Sequence, residues 1–345
     1  MRILFLSPNY MGLHIPIIEE LKKQGHNVVW VEDKDIPYNF RIPRTSLNRI
    51  RSKINAFIHK PHKAYWYKLW KDRSEDFCQP FDAFLCINGR SLCPELFSWL
   101  NAMPNIKKVL YLWDSESIFD FFYYRDEFDK IYTFDQQDAQ KYPNVRFLPL
   151  FWFDTKESAE KKYDISIIGT DHDNRYDIVE KILPQVKETR LSYFFKIMIF
   201  KPDFSHIAFY KTRLKYSSSL QKIVKNSEDI YYKRLSSEIA MTQPISPEVY
   251  NHIMDQTSCI LDTDRGTQSG TTARAIWALA KGKKIITTNC NFLNAPFYNP
   301  EQIKIIDRDN PILDIDFIMN DKQFEMHPYF EKLRIDNWVK EIIGF

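Results

Sequence analysis

The chain has 345 residues, enough for two domains, and its 44% hydrophobic and 15% aromatic residues exclude an intrinsically disordered protein. The net charge of +3 is too small to indicate nucleic-acid binding by itself. The five cysteines are scattered and form no CxxC pair, which favours reduced, buried thiols in a cytoplasmic protein. No apolar run reaches the ~18 residues of a membrane span. The first ten residues, MRILFLSPNY, are typical of a strand and a turn rather than a signal peptide.

The N-terminal residues predict a strand–helix–strand unit. Arg2 to Ser7 is an apolar strand, Ile15 to Gln24 an amphipathic helix, and His26 to Val31 a second strand. Such a unit is expected to be parallel and right-handed. Its first loop, residues 8–14, holds one glycine and therefore lacks the GxGxxG pattern of dinucleotide-binding loops. The sequence thus excludes NAD or FAD binding at this end.

Segment 41–73 is strongly basic, with ten lysines and arginines against a single acid, Asp72, and five interleaved aromatic residues. A second basic stretch, 196–234, has nine lysines and arginines against three acids. We expect its residues 201–225 to be irregular and Ile230 to Arg234 to form a short strand. The composition of 41–73 favours contact with an anionic membrane surface or a lipid-phosphate acceptor. Nucleic acid is the second interpretation, and an ordinary solvated helix surface is the third.

Polar side chains follow three strands of the first half. The predicted strands cover 81–88, 108–113, 130–134 and 146–150. Arg90 follows the first of these, Asp114 and Ser115 the second, and Asp135 the third. The carboxyl ends of parallel strands are where ligands bind in open α/β sheets. Ordinary capping of the next helix is the alternative, strongest for Asp135 and weakest for Asp114.

A second α/β half is predicted after a polar linker at 151–162. It begins with the strand Tyr163 to Gly169, a polar loop through Arg175, and a helix at 176–187. A strand at 191–200 follows. Ser246 with Pro247 predicts the start of a helix that runs to Gln256. The later elements are a strand at 303–306 and a closing helix at 329–343.

The stretch Cys259 to Asn289 reads as strand, loop, helix and strand. Its loop, Arg265 to Gly270, precedes the start of a helix, where unpaired N–H groups and the helix dipole favour an anion. An ordinary βαβ unit has the same pattern. From the pattern alone, phosphate binding and a purely structural loop are both open.

Several segments resemble one family. They are YDISIIGTDHDNRYDIVEKIL, SPEVYNHIMDQTSCILDTDRGTQSGTTARAIWALAKGKKIITTN, FYNPEQIKII and, more weakly, VLYLWDS and IYTFDQQDAQKYPNVRFLPLF. They resemble the GT-B glycosyltransferases of bacterial lipopolysaccharide and capsule biosynthesis clusters, which have relatives among spore-coat glycosyltransferases. The resemblance implies an α/β fold of two Rossmann-like domains whose parallel sheets face each other across a cleft. The implied domains are an acceptor-binding domain at 1–155, a nucleotide-sugar-binding domain at 156–328, and a C-terminal helix at 329–345 that packs back on the first.

The resemblance also implies where a nucleotide-sugar, UDP- or GDP-linked, would bind. Gly169 and Thr170 would lie near the donor phosphates, with Arg175 as a charged partner. Gln268, Ser269, Gly270, Thr271 and Thr272 would offer N–H and hydroxyl groups to the diphosphate, and Arg274 a positive charge. Many retaining members carry two glutamates eight residues apart, where this chain has Ser269 and Trp277. That departure favours an inverting transfer.

An inverting transfer needs a base for the acceptor hydroxyl. Asp114 is the first candidate and His14 the second, with Arg90 and Ser115 as acceptor-binding residues. Asp262-Thr263-Asp264 mimics the DxD metal motif of another glycosyltransferase fold. We expect no metal site there and no cofactor, because two carboxylates are a thin ligand set and GT-B enzymes neutralise the diphosphate with basic side chains and helix dipoles.

The expected activity is sugar transfer from a nucleotide-sugar to a lipid-linked saccharide or oligosaccharide acceptor of lipopolysaccharide, O-antigen or capsule. The protein would be cytoplasmic and peripheral on the inner face of the membrane, held there by 41–73 and 196–234. No motif supports nucleic-acid binding. The alternative is a catalytically degenerate GT-B protein that binds a sugar or nucleotide without turnover, which the missing glutamate pair favours.

Overall fold

The computed structural model describes residues 1–10, 12–34, 60–118, 121–154, 160–204 and 214–344. The chain divides into two compact units, each described here on its own. Unit 1 comprises Met1–Phe153, Thr267–Trp277 and Pro328–Phe345, and unit 2 comprises Asp154–Gly266 and Ala278–His327. Most of the basic segment 41–73 and residues 205–213 of the stretch 196–234 lie outside the described residues.

The strands and helices in the described ranges have the following bounds. The strands are β1 (Arg2–Ser7), β2 (Asn27–Glu32), β3 (Ala83–Ile87), β4 (Lys107–Leu112), β5 (Lys130–Thr133), β6 (Val145–Phe147), β7 (Tyr163–Thr170), β8 (Tyr193–Met198), β9 (Ala240–Met241), β10 (Thr257–Asp262), β11 (Lys284–Thr287) and β12 (Ile303–Ile305). The helices are α1 (His14–Lys23), α2 (Lys60–Asp72), α3 (Ser74–Phe77), α4 (Pro94–Asn101), α5 (Gln136–Lys141), α6 (Arg175–Glu188), α7 (Ser218–Leu235), α8 (Pro247–Asp255), α9 (Ala273–Ala280), α10 (Ile315–Met319) and α11 (Ile335–Ile343). Short 3₁₀ helices cover Phe121–Glu127, Cys290–Asn294 and Pro328–Leu333.

Unit 1 is built on a six-stranded sheet with the order β2-β1-β3-β4-β5-β6, and all its pairs are parallel. The strands are almost wholly apolar because helices cover both faces of such a sheet. The chain runs outward from β1 to β2 and then returns to β3 on the other side of β1. This reversal of direction makes the carboxyl ends of β1 and β3 the topological switch point, where open α/β sheets bind ligands.

Unit 2 has a second six-stranded parallel sheet, with the order β12-β11-β10-β7-β8-β9. Counted from β7, this is the strand order 3-2-1-4-5-6 of the Rossmann fold. Its switch point lies at the carboxyl ends of β7 and β10. Thr170 ends β7 and Asp262 ends β10, so the two strands that precede the predicted polar regions end side by side at one edge of this sheet.

The C-terminal helix packs within unit 1, as predicted. The Trp338 indole donates to the Pro149 carbonyl at 3.0 Å, and its ring lies 4.8 Å from that of Tyr111. The predicted continuous helix at 329–343 is interrupted, however. The 3₁₀ turn ends at Leu333 and α11 begins at Ile335. Arg334, between them, adopts an extended conformation and forms a β-bridge with Trp152.

Three local predictions were wrong. The strand predicted at 230–234 lies inside α7, which also replaces part of the irregular region 201–225. The linker predicted at 151–162 begins with Phe151 and Trp152, which are buried core residues of unit 1. All five cysteines are free, but Cys78 and Cys290 are exposed rather than buried. Among the described residues, no helix has the length and hydropathy needed to cross a bilayer.

Candidate functional site

Asp114 lies just after β4 at the carboxyl edge of the unit 1 sheet. The Asn88 amide, just after β3, donates to Asp114 Oδ2 at 3.0 Å and accepts the Trp113 N–H at 3.1 Å. An Arg90 Nη2 lies 3.9 Å from the same carboxylate oxygen, and both side chains are 25% exposed. Asn88 has a φ of +63°, which asparagine tolerates better than most residues. The structure thus brings the predicted Asp114 and Arg90 together at the carboxyl ends of β3 and β4, next to the switch point, through an asparagine that the sequence analysis missed.

The loop that carries Arg90 is held by Asp33. This buried carboxylate, which follows β2, accepts the N–H groups of Gly89, Arg90 and Ser91 at 2.7–3.0 Å and the Ser91 hydroxyl at 2.7 Å. Gly89 has a φ of +83°, and a Cβ there would lie 2.5 Å from Leu92. Burial raises the pKa of Asp33 to about 6, against the opposing effect of its four hydrogen bonds. Asp33 therefore fixes the backbone from which Arg90 reaches Asp114.

His14 is the first residue of α1 and is 7% exposed. Its ring stacks on Trp30 at 4.4 Å between centroids, and the Trp30 indole donates to the Ser7 hydroxyl at 2.9 Å. The Nδ1 atom is buried and forms no hydrogen bond with any described residue. Burial lowers the pKa of His14, so the neutral imidazole that a general base requires is favoured. The geometry therefore keeps His14 as the second candidate base.

Ser115 is buried, and its hydroxyl lies 2.5 Å from that of Ser117. Ser117 in turn donates its proton to the Thr267 carbonyl at 3.0 Å. Because the Ser117 proton is used there, Ser115 is the donor of the short bond. The predicted contact of Ser115 with the saccharide acceptor stays a prediction. The structure shows that its hydroxyl is linked through Ser117 to the segment 267–277.

The segment Thr267–Trp277, which contains the predicted diphosphate loop, has its contacts in unit 1. Ser269 donates its N–H to Asp135 Oδ2 and its hydroxyl to Asp135 Oδ1, both at 2.7 Å. The Ser269 oxygen also accepts the Gln137 N–H at 3.0 Å. Asp135 caps α5, as its alternative interpretation predicted, by accepting from Gln137 and Asp138. One carboxylate therefore both begins a helix and anchors the loop.

Two further contacts fix this segment. Gly270 packs so closely on Phe134 that a Cβ would lie 2.4 Å from its ring carbons. The Trp277 indole donates to the Phe151 carbonyl at 2.8 Å, and its ring lies 4.9 Å from that of Phe153. Trp277 thus serves packing within unit 1.

The remaining predicted residues of the loop have mixed surroundings. The Thr272 hydroxyl accepts the Ala275 N–H at 3.1 Å in the first turn of α9. Arg274 is 9% exposed. Gln268 has a buried Nε2 with no hydrogen bond to a described residue, and Thr271 is half-buried. Their predicted contacts with a donor diphosphate stay predictions.

In unit 2, the predicted phosphate partner Arg175 points inward and is 8% exposed. Its guanidinium donates to the Thr170 carbonyl at 2.5 Å, and to the hydroxyl and carbonyl of Thr263 at 2.7 and 2.9 Å. It therefore ties the end of β7, including the predicted Gly169–Thr170 strand end, to the end of β10. This is a structural role, and the predicted phosphate contact of Arg175 stays a prediction.

Arg308, which follows β12, was missed by the sequence analysis. Its guanidinium donates to the Asp173 carbonyl at 3.0 Å, to the Asn174 side chain at 2.9 Å, and to Asp264 Oδ1 at 2.7 Å. Asp173 and Asn174 are consecutive left-handed residues, with φ values of +47° and +60°. Aspartate and asparagine adopt this conformation more readily than other residues with a side chain, and two in succession persist where surrounding contacts hold them. Arg308 supplies those contacts at the start of the 14-residue helix α6.

The same loop has a positive electrostatic environment. The pKa of His172 is lowered to about 4, mainly by burial and then by the charges of Arg265 and Arg175. Burial disfavours charge of either sign, whereas the two guanidinium groups favour an anion and the carboxylates of Asp171 and Asp173 oppose it. A phosphate beside this loop would also meet the N-terminal end of the α6 dipole.

The DxD carboxylates serve the fold. Asp262 is fully buried and accepts the Thr287 hydroxyl at 3.1 Å, while Asp264 accepts the Thr288 hydroxyl at 2.5 Å and pairs with Arg308. In the part of the chain that the structure describes, no group of three or more His, Cys, Asp or Glu side chains is placed to hold a metal ion.

The described part of the basic segment forms α2 and contributes to the core of unit 1. Trp66 is fully buried and its indole donates to the Ser91 carbonyl at 2.8 Å. Tyr67 is 53% exposed, and Lys68 and Lys71 are exposed beside it. The interleaved aromatic residues therefore do not all lie on the surface. One face of α2 packs in the core of unit 1, and the other face exposes the basic side chains.

No protein-family model matches the chain, and no curated protein matches it. Solved structures do. MnaA of S. aureus in complex with UDP has a TM-score of 0.50 at 10% identity over 99% of this chain and 97% of that one. The lipopolysaccharide outer core galactosyltransferase WaaB has a TM-score of 0.44 at 10% identity, and MurG of Acinetobacter baumannii 0.44 at 12%, each over 100% of this chain and 99% of theirs. Together with two six-stranded parallel sheets, the likeness to MnaA confirms the predicted α/β fold class, GT-B.

Proposed function

We propose that the protein is a glycosyltransferase that moves a sugar from a nucleotide-sugar to a hydroxyl of a lipid-linked saccharide acceptor. The observation that carries the proposal is the Asp114 carboxylate, which is partly exposed at the end of β4, next to the switch point of unit 1, and is held by Asn88 at 3.0 Å and by Arg90 at 3.9 Å. A carboxylate fixed in this way can accept a proton from a bound hydroxyl without reorganising. Arg90 is placed to orient the acceptor.

The donor is proposed to bind at the strand ends of unit 2. The loop that holds Asp173 and Asn174 lies at the start of α6, with Arg308 behind it and the charge of Arg265 nearby. Two guanidinium groups and a helix N-terminus suit a diphosphate that gains negative charge as it leaves. These features support a metal-independent transfer from a UDP- or GDP-sugar. Gln268 to Thr272 and Arg274, which belong to unit 1, stay proposed diphosphate-binding residues.

The reaction would be a single displacement with inversion at the anomeric carbon. The acceptor oxygen forms a bond to that carbon, the bond from the carbon to the diphosphate breaks, and the acceptor proton passes to Asp114. The nucleoside diphosphate leaves with the electron pair of the broken bond. His14, neutral because burial lowers its pKa, is the second candidate for the same proton. The product anomer distinguishes this path from a retaining one.

A lipid-linked acceptor would require the protein to reach a membrane surface. The exposed face of α2 carries Lys63, Tyr67, Lys68 and Lys71. The helix α7 exposes Ile223 and Ile230, which are 56% and 44% accessible, among several lysines. Basic side chains with amphipathic or apolar neighbours suit an anionic leaflet. We therefore propose peripheral binding to the inner face of the cytoplasmic membrane, as part of lipopolysaccharide, O-antigen or capsule synthesis.

A catalytically degenerate GT-B binding protein is the second candidate. The contact between Ser269 and Asp135 favours it, because this serine stands where many retaining enzymes have a catalytic-region glutamate and here the residue serves packing.

A thermal-shift panel of UDP-, GDP-, CMP- and dTDP-sugars, followed by a transfer assay with the donor that binds, separates the two candidates. The transferase proposal expects one donor class to raise the melting temperature and to release nucleoside diphosphate when a saccharide acceptor is added. Binding without release for any acceptor would establish the degenerate protein.

A further inference from the structure

Unit 1 contains an open cavity of about 660 Å³ that shares no residue with the candidate site above. It lies beside the edge strand β6, and the 3₁₀ turn at Pro328–Leu333 and the helix α11 form its other side. Its volume falls in the range of ligand sites, which is roughly 300–1,000 Å³. The cavity is thus large enough for one or two sugar rings.

The charges that line the cavity balance. Arg146 and Lys332 bring two positive charges, and Glu331 and Glu341 bring two negative ones. The negative charge of Glu331 is already paired with Arg334 at 2.8 Å, and the Glu341 carboxylate is the group that would repel a phosphate or nucleotide. A neutral ligand whose groups both donate and accept hydrogen bonds is the better match, because guanidinium and ammonium groups only donate whereas carboxylates only accept.

Aromatic side chains complete the lining. Phe147 is 42% exposed although it is a large apolar residue, and it is one of the residues that line the cavity. Tyr329 is fixed by the Lys332 ammonium, 4.1 Å from its ring centroid, and burial raises its pKa to about 12. A pyranose ring has one face of C–H groups that packs on an aromatic ring, while its rim of hydroxyls requires polar partners. The cavity offers both.

The polar rim is held in place before any ligand binds. The Tyr132 hydroxyl donates to the Glu341 carbonyl at 3.0 Å and lies 3.1 Å from Glu341 Oε1. The Asn337 amide donates to the Glu331 carbonyl at 2.9 Å, which fixes the orientation of its own carbonyl oxygen. Such preorganisation lowers the entropy cost of binding.

We propose that this cavity is a second, non-catalytic binding site for a neutral saccharide, with Phe147 as the stacking surface and Arg146, Asn337 and Glu341 as hydroxyl partners. The site does not depend on the proposed transferase activity. A protein of either candidate function could use it to hold a saccharide away from the switch point.

Saturation-transfer NMR and calorimetry on the full chain test the site with a named panel of neutral sugars, namely glucose, galactose, N-acetylglucosamine, lactose and maltose. Glucuronate and glucose 1-phosphate are the charged comparisons. The site predicts binding of at least one neutral sugar, weaker or absent binding of its charged relatives, and no displacement by UDP.

Phe147→Ala should weaken that binding about tenfold, because it removes the stacking surface. The exposure of Phe147 makes the variant a mild change for folding. Leu293→Ala, at an apolar residue of unit 2 that is 57% exposed, is the matched control and should bind as the wild type does. Glu341→Gln should also weaken binding. No signal with any neutral sugar, preference for the charged sugars, or equal binding by Phe147→Ala and Leu293→Ala would overturn the proposal.

Discussion

Ser269 donates both its backbone N–H and its hydroxyl to the two carboxylate oxygens of Asp135, each at 2.7 Å, across 134 positions of sequence. Both partners are buried. Hydrogen bonds to a charged group are stronger than neutral ones, and a buried carboxylate that loses a donor is costly. This pair is therefore the anchor that holds the segment 267–277 in unit 1.

Ser269→Ala removes one of these two bonds and the acceptor of the Gln137 N–H. We expect a loss of about 1–3 kcal/mol in the free energy of unfolding. If the loop binds the donor as proposed, donor affinity should fall as well. Urea unfolding and calorimetry measure the two effects. Ser98→Ala is the control, because its exposed hydroxyl donates only to the Pro94 carbonyl. Equal stability of the two variants would show that the pair does not anchor the loop.

Asp33→Asn should destabilise unit 1 and weaken acceptor use. An amide in place of the carboxylate replaces one accepting oxygen with an NH₂ group that faces N–H donors, so the bonds to Gly89 and Arg90 or the bond to Ser91 are lost. We expect a cost of about 2–4 kcal/mol in unfolding free energy. The apparent affinity for the saccharide acceptor should fall more than that for the nucleotide-sugar, because Arg90 moves when its loop loses these bonds.

The same group gives a pH signature. Burial raises the pKa of Asp33 from 3.8 to about 6, so between these values the folded chain binds more protons than the unfolded chain. The contribution of Asp33 to stability therefore falls as pH rises from about 4 to 6 and is constant above that. Unfolding curves across this window should differ in slope between wild type and Asp33→Asn. Parallel curves would contradict this account of Asp33.

His172 contributes to the pH dependence of stability with the opposite sign. Its pKa is lowered to about 4 in the folded chain, against an ordinary value of 6.5, so the unfolded chain binds more protons between those values. Stability from this residue is present above pH 6.5 and is lost as pH falls toward 4. His172→Gln should reduce that loss, whereas His327→Gln, at an exposed residue, is the comparison.

NMR titration of His172 also tests the proposed phosphate position. A bound donor brings negative charge close to the imidazole and should raise its pKa by about one unit or more. An unchanged titration with saturating donor would place the phosphates elsewhere.

Arg308→Gln should lower donor affinity by about tenfold or more, because it removes a charge and releases the left-handed residues Asp173 and Asn174. Lys222→Gln, at an exposed lysine of the same unit, controls for the loss of a positive charge. Calorimetry with the donor found in the panel measures both. Equal affinities would remove Arg308 and its loop from the donor site.

The strands were predictable because burial on both faces of a parallel sheet demands continuous apolar runs, as in ILFL at 3–6 and CIL at 259–261. The cap at Ser246 followed by Pro247 was predictable for local reasons, and the structure confirms it. The helix α7 was missed because Val224, 8% exposed, is its one buried residue, so its sequence lacks a wide apolar stripe. Residues 230–234 then resembled a strand, because isoleucine and tyrosine are common in strands as well as in helices.

The residues that contact the candidate site residues could not be predicted from local sequence patterns. Asp114 could be singled out because it ends an aromatic strand, but its contact with Asn88 depends on two strands meeting in register. The Asn-Gly pair at 88–89 signalled a turn without indicating what the amide would touch. Arg308 lies 135 positions from Asp173, and Ser269 lies far from Asp135. Such pairs arise from topology, which spacing within one element does not encode.

Asp114 is the residue on which the proposed function depends most. Asp114→Asn keeps the size of the side chain and the contact with Asn88 but removes the proton acceptor. We expect turnover to fall about 10²–10⁴-fold while donor affinity changes little. Asp126→Asn, at a carboxylate that is 95% exposed, is the matched control.

The decisive measurement is turnover by wild type, Asp114→Asn and Asp126→Asn with the one donor class that binds, together with the anomeric configuration of the product. The account predicts transfer with inversion by wild type and Asp126→Asn, and bound donor without transfer by Asp114→Asn. Equal turnover by all three proteins, or a product with retained configuration, would contradict the assignment of Asp114 as the base of an inverting glycosyltransferase.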